Sequence, residues 1–270
     1  MKNFICTTCG TQFAATTSEP DRCPICEDER QYVNPAGQQW TTLDGLTRTH
    51  QNTFQKKEPN LYSITTTPKM AIGQRAFLVQ GSEGNILWDC LSMVDDATID
   101  IINGLGGLNA IAISHPHYYS SMVEWGRAFG DIPIYLHEAD RRWAMRPDDR
   151  IHFWTGDSLS LFGSLTLLRL GGHFEGGAVL HWPGGAEGRG TLLSGDIIQV
   201  VADRKHVSFM YSYPNYIPLS AKKINYIVNG LKGYSYDRIY GAFQDMEILE
   251  NAAKAVRRSA KRYIGQINPT

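Results

Sequence analysis

Three apolar runs of strand length each end in side chains of the kind that bind metals, and this pattern limits what the chain can become. Ala110-Ile111-Ala112-Ile113 runs into Ser114-His115-Pro116-His117, Leu165 to Leu170 runs into Gly171-Gly172-His173, and Thr191 to Ser194 runs into Gly195-Asp196. Buried strands of this kind belong to a sheet covered on both faces, and loops at strand ends are where a rigid sheet holds chemistry. The glycines beside His173 and Asp196 allow close backbone approach. Four ligand-type side chains at three strand ends therefore predict one shared site.

The chain has 270 residues, a formal charge of -1 and 42% hydrophobic residues, enough to bury a large core. Near-neutral charge argues against duplex nucleic acid as a partner. The start, Met1 to Cys6, has no apolar stretch of signal-peptide length, and no segment reaches the roughly 18 apolar residues of a membrane helix. A cytoplasmic protein with no membrane contact is expected.

Four of the five cysteines lie in two pairs, Cys6-Thr7-Thr8-Cys9 and Cys23-Pro24-Ile25-Cys26. In a reducing compartment two such turns close four thiolates around one cation. Cys90, alone among apolar neighbours, reads as a small buried side chain. The turn signal Asn34-Pro35-Ala36-Gly37 marks a linker, so we expect a four-cysteine module and linker over residues 1–40 and a main domain over 41–270. So small a module needs its metal to fold.

The main domain alternates strands with helices. Strands are expected at Arg75–Gln80, Asn85–Asp89, Ala110–Ile113, Leu165–Leu170, Ala178–Trp182 and Thr191–Ser194. A helix is expected to start at Ser121, with Ser121 and Glu124 forming a capping box, and two more over Ala221–Leu231 and Asp245–Tyr263. This is an α/β layered domain. His137 and His181 read as strand histidines without a ligand role, and Lys254, Arg257, Arg258, Lys261 and Arg262 as a solvated helix face.

Two resemblances add to this reading. The cysteine pairs resemble a zinc ribbon and, more loosely, a rubredoxin, over about the first thirty residues. Glu27 stands where a rubredoxin usually has glycine and only 13 residues separate Cys9 from Cys23, which favours zinc over iron. From about residue 60 to 245 the chain resembles the metallo-β-lactamase superfamily, through Trp88-Asp89, Ser114-His115-Pro116-His117, Gly172-His173 and Ser194-Gly195-Asp196 in family order. That resemblance implies an αββα sandwich with metal at one edge of its two sheets.

The departures are concentrated. The family motif HxHxDH here ends in Tyr119 and Ser120, and the turn that usually carries the last histidine reads Gly241-Ala242-Phe243. All three losses fall on one of the two family metal positions, while His115, His117 and His173 complete the other.

The expected function is a mononuclear-metal hydrolase holding one Zn²⁺ or Fe²⁺ through His115, His117, His173 and Asp196. Three neutral imidazoles leave tetrahedral zinc one position for water, whose pKa can fall to about 7, so that metal-bound hydroxide attacks an ester, thioester or related bond. Asp196 is expected to bind the ion or to take a proton. Tyr119 is a second catalytic candidate, its phenol placed to donate to a developing oxyanion. Three alternatives stay open: a metal-binding scaffold without turnover, a mononuclear iron oxygen or redox enzyme, and a nucleic-acid-binding protein built on the cysteine module and the basic helix. Substrate and oligomeric state have no signal in the residues.

Overall fold

The computed structural model describes residues 1–268 and shows two sheets packed face to face with helices on both outer faces. The first sheet has seven strands in sequential order: β1 (Gln51–Glu58), β2 (Leu61–Thr67), β3 (Arg75–Gln80), β4 (Asn85–Trp88), β5 (Ala110–Ala112), β6 (Ile134–His137) and β7 (Ile151–Trp154). The first four run antiparallel and the last three join in parallel. The second sheet has six strands: β8 (Ser158–Leu161), β9 (Leu165–Arg169), β10 (Ala178–Trp182), β11 (Thr191–Leu193), β12 (Arg238–Tyr240) and β13 (Glu247–Ile248). Only the β11–β12 pair is parallel.

Alternation along each strand explains the layers. On β3, Phe77 and Val79 join Trp88, Leu167, Leu180 and Leu193 between the sheets, while Ala76 and Leu78 face outward under the helices. Both faces are covered, so these strands read as continuous apolar runs. Helices α1 (Asp96–Gly104) and α2 (Met122–Ala128) cover the first sheet through Ile102, Met122 and Trp125. Helices α3 (Ala221–Gly230) and α4 (Ala252–Ile267) cover the second; α4 buries Ala252, Ala255, Val256 and Ala260, a helical stripe. Among the described residues no helix is long and apolar enough to cross a membrane.

Two expectations need correction. The stretch from Asp245 is not helical: Glu247–Ile248 is an edge strand paired with β12, Asn251 takes a left-handed backbone (φ 57°), and α4 begins at Ala252. The capping box at Ser121 does not form, because Ser121 donates to the Ser92 carbonyl (2.8 Å) and Glu124 pairs with Arg146 (2.5 Å). Tertiary partners outcompete the local cap. The β1–β2 hairpin has no counterpart among the expected strands, since its polar alternation gives little apolar signal.

The N-terminal segment packs against the loops after the fourth and fifth strands of the first sheet. Ile5–Cys6 pairs with Trp40–Thr41, and Gly10 accepts from Ser92 Oγ (2.8 Å). Gln12 donates its backbone N–H to the Ser120 carbonyl (3.0 Å) and accepts from Arg146 through its side chain.

Candidate metal centre

Each ligand-type side chain is held by a local device. Asp89, in a left-handed conformation (φ 61°), accepts the Ser114 N–H on its carboxylate (2.8 Å), fixing the loop after β5. His115 is extended and Pro116 opens a single 3-10 turn, Pro116–Tyr118, a position where proline's missing N–H costs nothing. His173 follows two left-handed glycines; at Gly172 (φ 89°) a Cβ would lie 2.9 Å from Leu219, so the hairpin needs glycine there. Gly195 (φ 50°) brings the loop after β11 against Ser114, where a Cβ would meet Oγ at 2.5 Å.

These loops bring His115, His117, His173 and Asp196 together, with one donor atom from each within 4.8 Å of the others and all four side chains buried. The three imidazole centroids are mutually 5.1 Å apart. His173 donates its Nδ1 hydrogen to the Tyr211 carbonyl (2.7 Å), leaving a lone pair on Nε2, which faces His117 Nδ1 at 3.4 Å. His115 Nδ1 bonds Ser114 Oγ (2.8 Å), and its Nε2 faces Asp196 Oδ2 at 3.6 Å. Burial drives His115 and His117 well below the usual imidazole range and His173 to about 4, so all three rings are neutral near pH 7. Burial alone pushes the Asp196 carboxyl up to about 7.

The group fits a cation. His115 Nε2, which faces Asp196, and Asp196 Oδ1 are buried without a hydrogen-bond partner. Each such atom costs about 1–3 kcal/mol, and two side by side are hard to retain without a ligand. The 3.4 Å separation of two ring nitrogens matches the edge of a tetrahedron with Zn–N of about 2.0–2.1 Å. The cysteines fit as well: Cys6 Sγ lies 3.5 Å from Cys26 Sγ and Cys9 Sγ 3.7 Å from Cys23 Sγ, near the roughly 3.8 Å edge of a zinc tetrathiolate. All five cysteines are free thiols and Cys90 lies apart, buried. Among the described residues these are the two groups of converging metal-ligand side chains.

A cavity of about 550 Å³ opens onto His117 and Asp196. The N-terminal segment supplies Thr7, Thr8, Arg30, Gln31, Tyr32 and Asn34 to its wall, and Tyr213, whose ring lies 5.3 Å from that of His173, and Phe243 line it as well.

Other expected residues fall elsewhere. Tyr119 does not face the cavity: its ring is buried under the first sheet and its hydroxyl donates to the Asp140 carbonyl at 3.4 Å. The half-turn after His117 rotates it away from the ligands. His137 bonds the Gly156 carbonyl (3.1 Å) and His181 the Ser235 carbonyl (2.8 Å), both outside the cluster. The Gly241-Ala242-Phe243 turn is held by its carbonyls, Arg75 Nη2 donating to Gly241 (2.6 Å) and Tyr118 to Ala242 (2.9 Å). Tyr213, in the aromatic stretch from Phe209 to Tyr216, donates its hydroxyl to the Asp196 carbonyl (2.8 Å); two further neighbours of the site, Arg30 and Gln74, were not singled out in the sequence. Nothing local marks them, because their partners lie far along the chain or on its backbone.

Over 270 residues the chain is 54% identical to the uncharacterized protein YmaE of Bacillus subtilis (strain 168), covering 99% of this chain and 98% of that protein. The chain belongs to the YmaE family. No family model matches it. Solved structures share the architecture of this YmaE-family chain. They include DIM-1 metallo-β-lactamase (TM-score 0.59, 13% identity, 80% of this chain and 98% of that one) and the Pseudomonas aeruginosa metallo-β-lactamase FIM-1 in its mono-zinc form (0.56, 15%, 77% and 96%). A metallo-β-lactamase from Hirschia baltica is also similar (0.52, 16%, 76% and 97%). The YmaE-family chain thus has the metallo-β-lactamase fold, with a four-cysteine group added near its N-terminus.

Proposed function

We propose that this chain is a mononuclear-metal hydrolase in which His115, His117, His173 and Asp196 hold one zinc ion and the adjoining cavity takes an ester, a thioester or a related acyl compound. The observation that carries this reading is the convergence of three buried imidazoles and the Asp196 carboxylate beside the cavity, which His117 and Asp196 line. A bound zinc would supply Lewis acidity, polarising a carbonyl and making water acidic near neutral pH. The protein's part is placement. His173 is oriented by the Tyr211 carbonyl, which also fixes its tautomer, and His115 is oriented by Ser114 Oγ. The two oxygens of Asp196 divide their work: Oδ2, facing His115, completes the ligand set, and Oδ1, unpartnered, accepts the proton released as water attacks. Thr8, Gln31 and Asn34 offer hydrogen bonds that orient the substrate, and Tyr32 and Phe243 give apolar cover.

Metal analysis of protein purified without added metal tests the reading. Two zinc ions per chain are expected. His115→Ala and His173→Ala should each lose one ion, keep the cysteine-held one and lose activity against a panel of esters and thioesters. Hydrolysis that survives His173→Ala would overturn the mechanism, and iron at the histidine site would redirect it to oxygen or redox chemistry.

A further inference from the structure

Both loops that carry the second and third histidines are tied to the four-cysteine module, by two side chains that touch neither proposed metal. Gln74 uses the two hydrogens of one amide: Nε2 donates to the Cys9 carbonyl (2.7 Å) and to the His117 carbonyl (3.1 Å). Arg30 stands four residues after Cys26. Its guanidinium is clamped by Asp28 (2.6 and 2.7 Å), donates to the His173 carbonyl (3.1 Å) and lies 3.9 Å over the Phe174 ring. That ring is 5.0 Å from His173 and 4.9 Å from His117, so it packs against both imidazoles.

The path from cysteine to Arg30 is short and continuous. Cys26 and Glu27 donate to the Cys23 carbonyl, Asp28 to Ile25, and Gln31 to Asp28, so the turn that carries two thiols also sets the guanidinium. A third tie runs through the Glu29 carbonyl, which accepts from Ser212 Oγ (2.5 Å) and Asn215 Nδ2 (2.7 Å). Ser212 is the next residue after Tyr211, whose carbonyl holds His173 Nδ1. Arg30 is buried, with its guanidinium over the Phe174 ring (3.9 Å) and near those of Tyr211 (5.4 Å) and Trp143 (5.7 Å). Burying a charge is costly even when it is paired, as Arg30 is with Asp28, and its retention here calls for a specific use.

We propose that Arg30 and Gln74 are positioning residues through which the cysteine-held metal sets the His173 and His117 ligands, making the N-terminal module half of the active site. This rests on the reading of the histidine group as a metal site. With the thiols bound, the module is rigid and both histidine carbonyls have fixed donors. Without that metal, Asp28 to Asn34 lose their anchor, the histidine loops relax and the cavity loses a wall.

Co²⁺ is the probe, because thiolate-to-cobalt charge-transfer bands report the cysteines and ligand-field bands report the histidine site separately. Metal-free full-length protein is titrated with Co²⁺, and affinity for each site is read from its own bands. In Arg30→Ala and in Gln74→Glu, which keeps the shape but removes the donors, the cysteine bands should persist. Affinity at the histidine site should fall about 10- to 100-fold, the usual cost of losing a contact behind a metal ligand. Arg30→Lys should not restore it, since lysine has neither the fork nor the plane. Replacing Cys9 and Cys23 together by Ser should weaken the same site.

Gln74 lies outside the module, so Gln74→Glu decides the matter if Arg30→Ala disturbs the cysteine turn. Wild-type affinity and an unchanged ligand-field spectrum in both Gln74→Glu and the double cysteine variant would overturn the proposal. A wild-type chain that takes up cobalt only at its cysteines would instead sink the functional reading itself.

Discussion

The carboxyl of Asp196 has the most consequential environment of any single residue. Burial holds its pKa near 7, whereas burial takes the His173 imidazole down to about 4. The sign of the pH effect follows. Below about 7 the metal-free protein carries a proton on Asp196 that a cation must displace, while the rings are already neutral. Affinity for zinc at this site should fall about tenfold per pH unit from about 7 toward 4 and level off above 7. Asp196→Asn should bind more weakly and lose that slope, which competition with a chromophoric chelator at several pH values would measure; an unchanged slope would remove Asp196 from the ligand set. At this scale the sequence marked the His and Asp side chains that converge but not the residues that hold their loops. A histidine after a strand announces itself, whereas Arg30 and Gln74 act through backbone carbonyls that carry no side-chain signature. Tyr119 shows the converse, since its place in the motif suggests a catalytic role and the half-turn after His117 sends its hydroxyl to the Asp140 carbonyl.

Among elements, those legible in advance were the ones whose patterns are strong and local. Strands β3, β4, β5, β9, β10 and β11 fall where apolar runs place them, and α3 follows its Ile224–Ile227 spacing. Elements set by partners were not legible: β1 is polar and exposed on one side, and β13 exists because it pairs with β12 and places Glu247 against Arg75 (2.6 Å) and Lys57 (2.8 Å). Capping shows the same contrast. Ser121 abandons its cap for a tertiary bond, but Asp95 caps α1 as a lone helix would, accepting the Thr98 N–H at 2.9 Å. Asp95→Ala should therefore cost about 1 kcal/mol in denaturant unfolding. Because α1 packs on the outer face of the first sheet, metal content should not change.

On the scale of the whole molecule, the interface between the sheets sets the frame on which the ligand loops are spaced. Leu180 is fully buried there among Phe77, Trp88, Leu167 and Leu193. Leu180→Ala should destabilise the protein by about 2–5 kcal/mol in equilibrium unfolding, with the spread set by how far the neighbours collapse into the cavity. A loss well under that range would mean that the sheets are not packed as described. The sequence by itself determined the layered α/β architecture, the cysteine and histidine donors and the concentration of departures at Tyr119, Ser120 and Gly241-Ala242-Phe243, because strand alternation and metal-ligand chemistry are written in residue type and spacing. Only the tertiary structure decided that the N-terminal module lies against the histidine site and walls its cavity, because the contacts that seat it join residues as far apart as Arg30 and His173 through a backbone carbonyl, which every residue offers and no sequence pattern distinguishes.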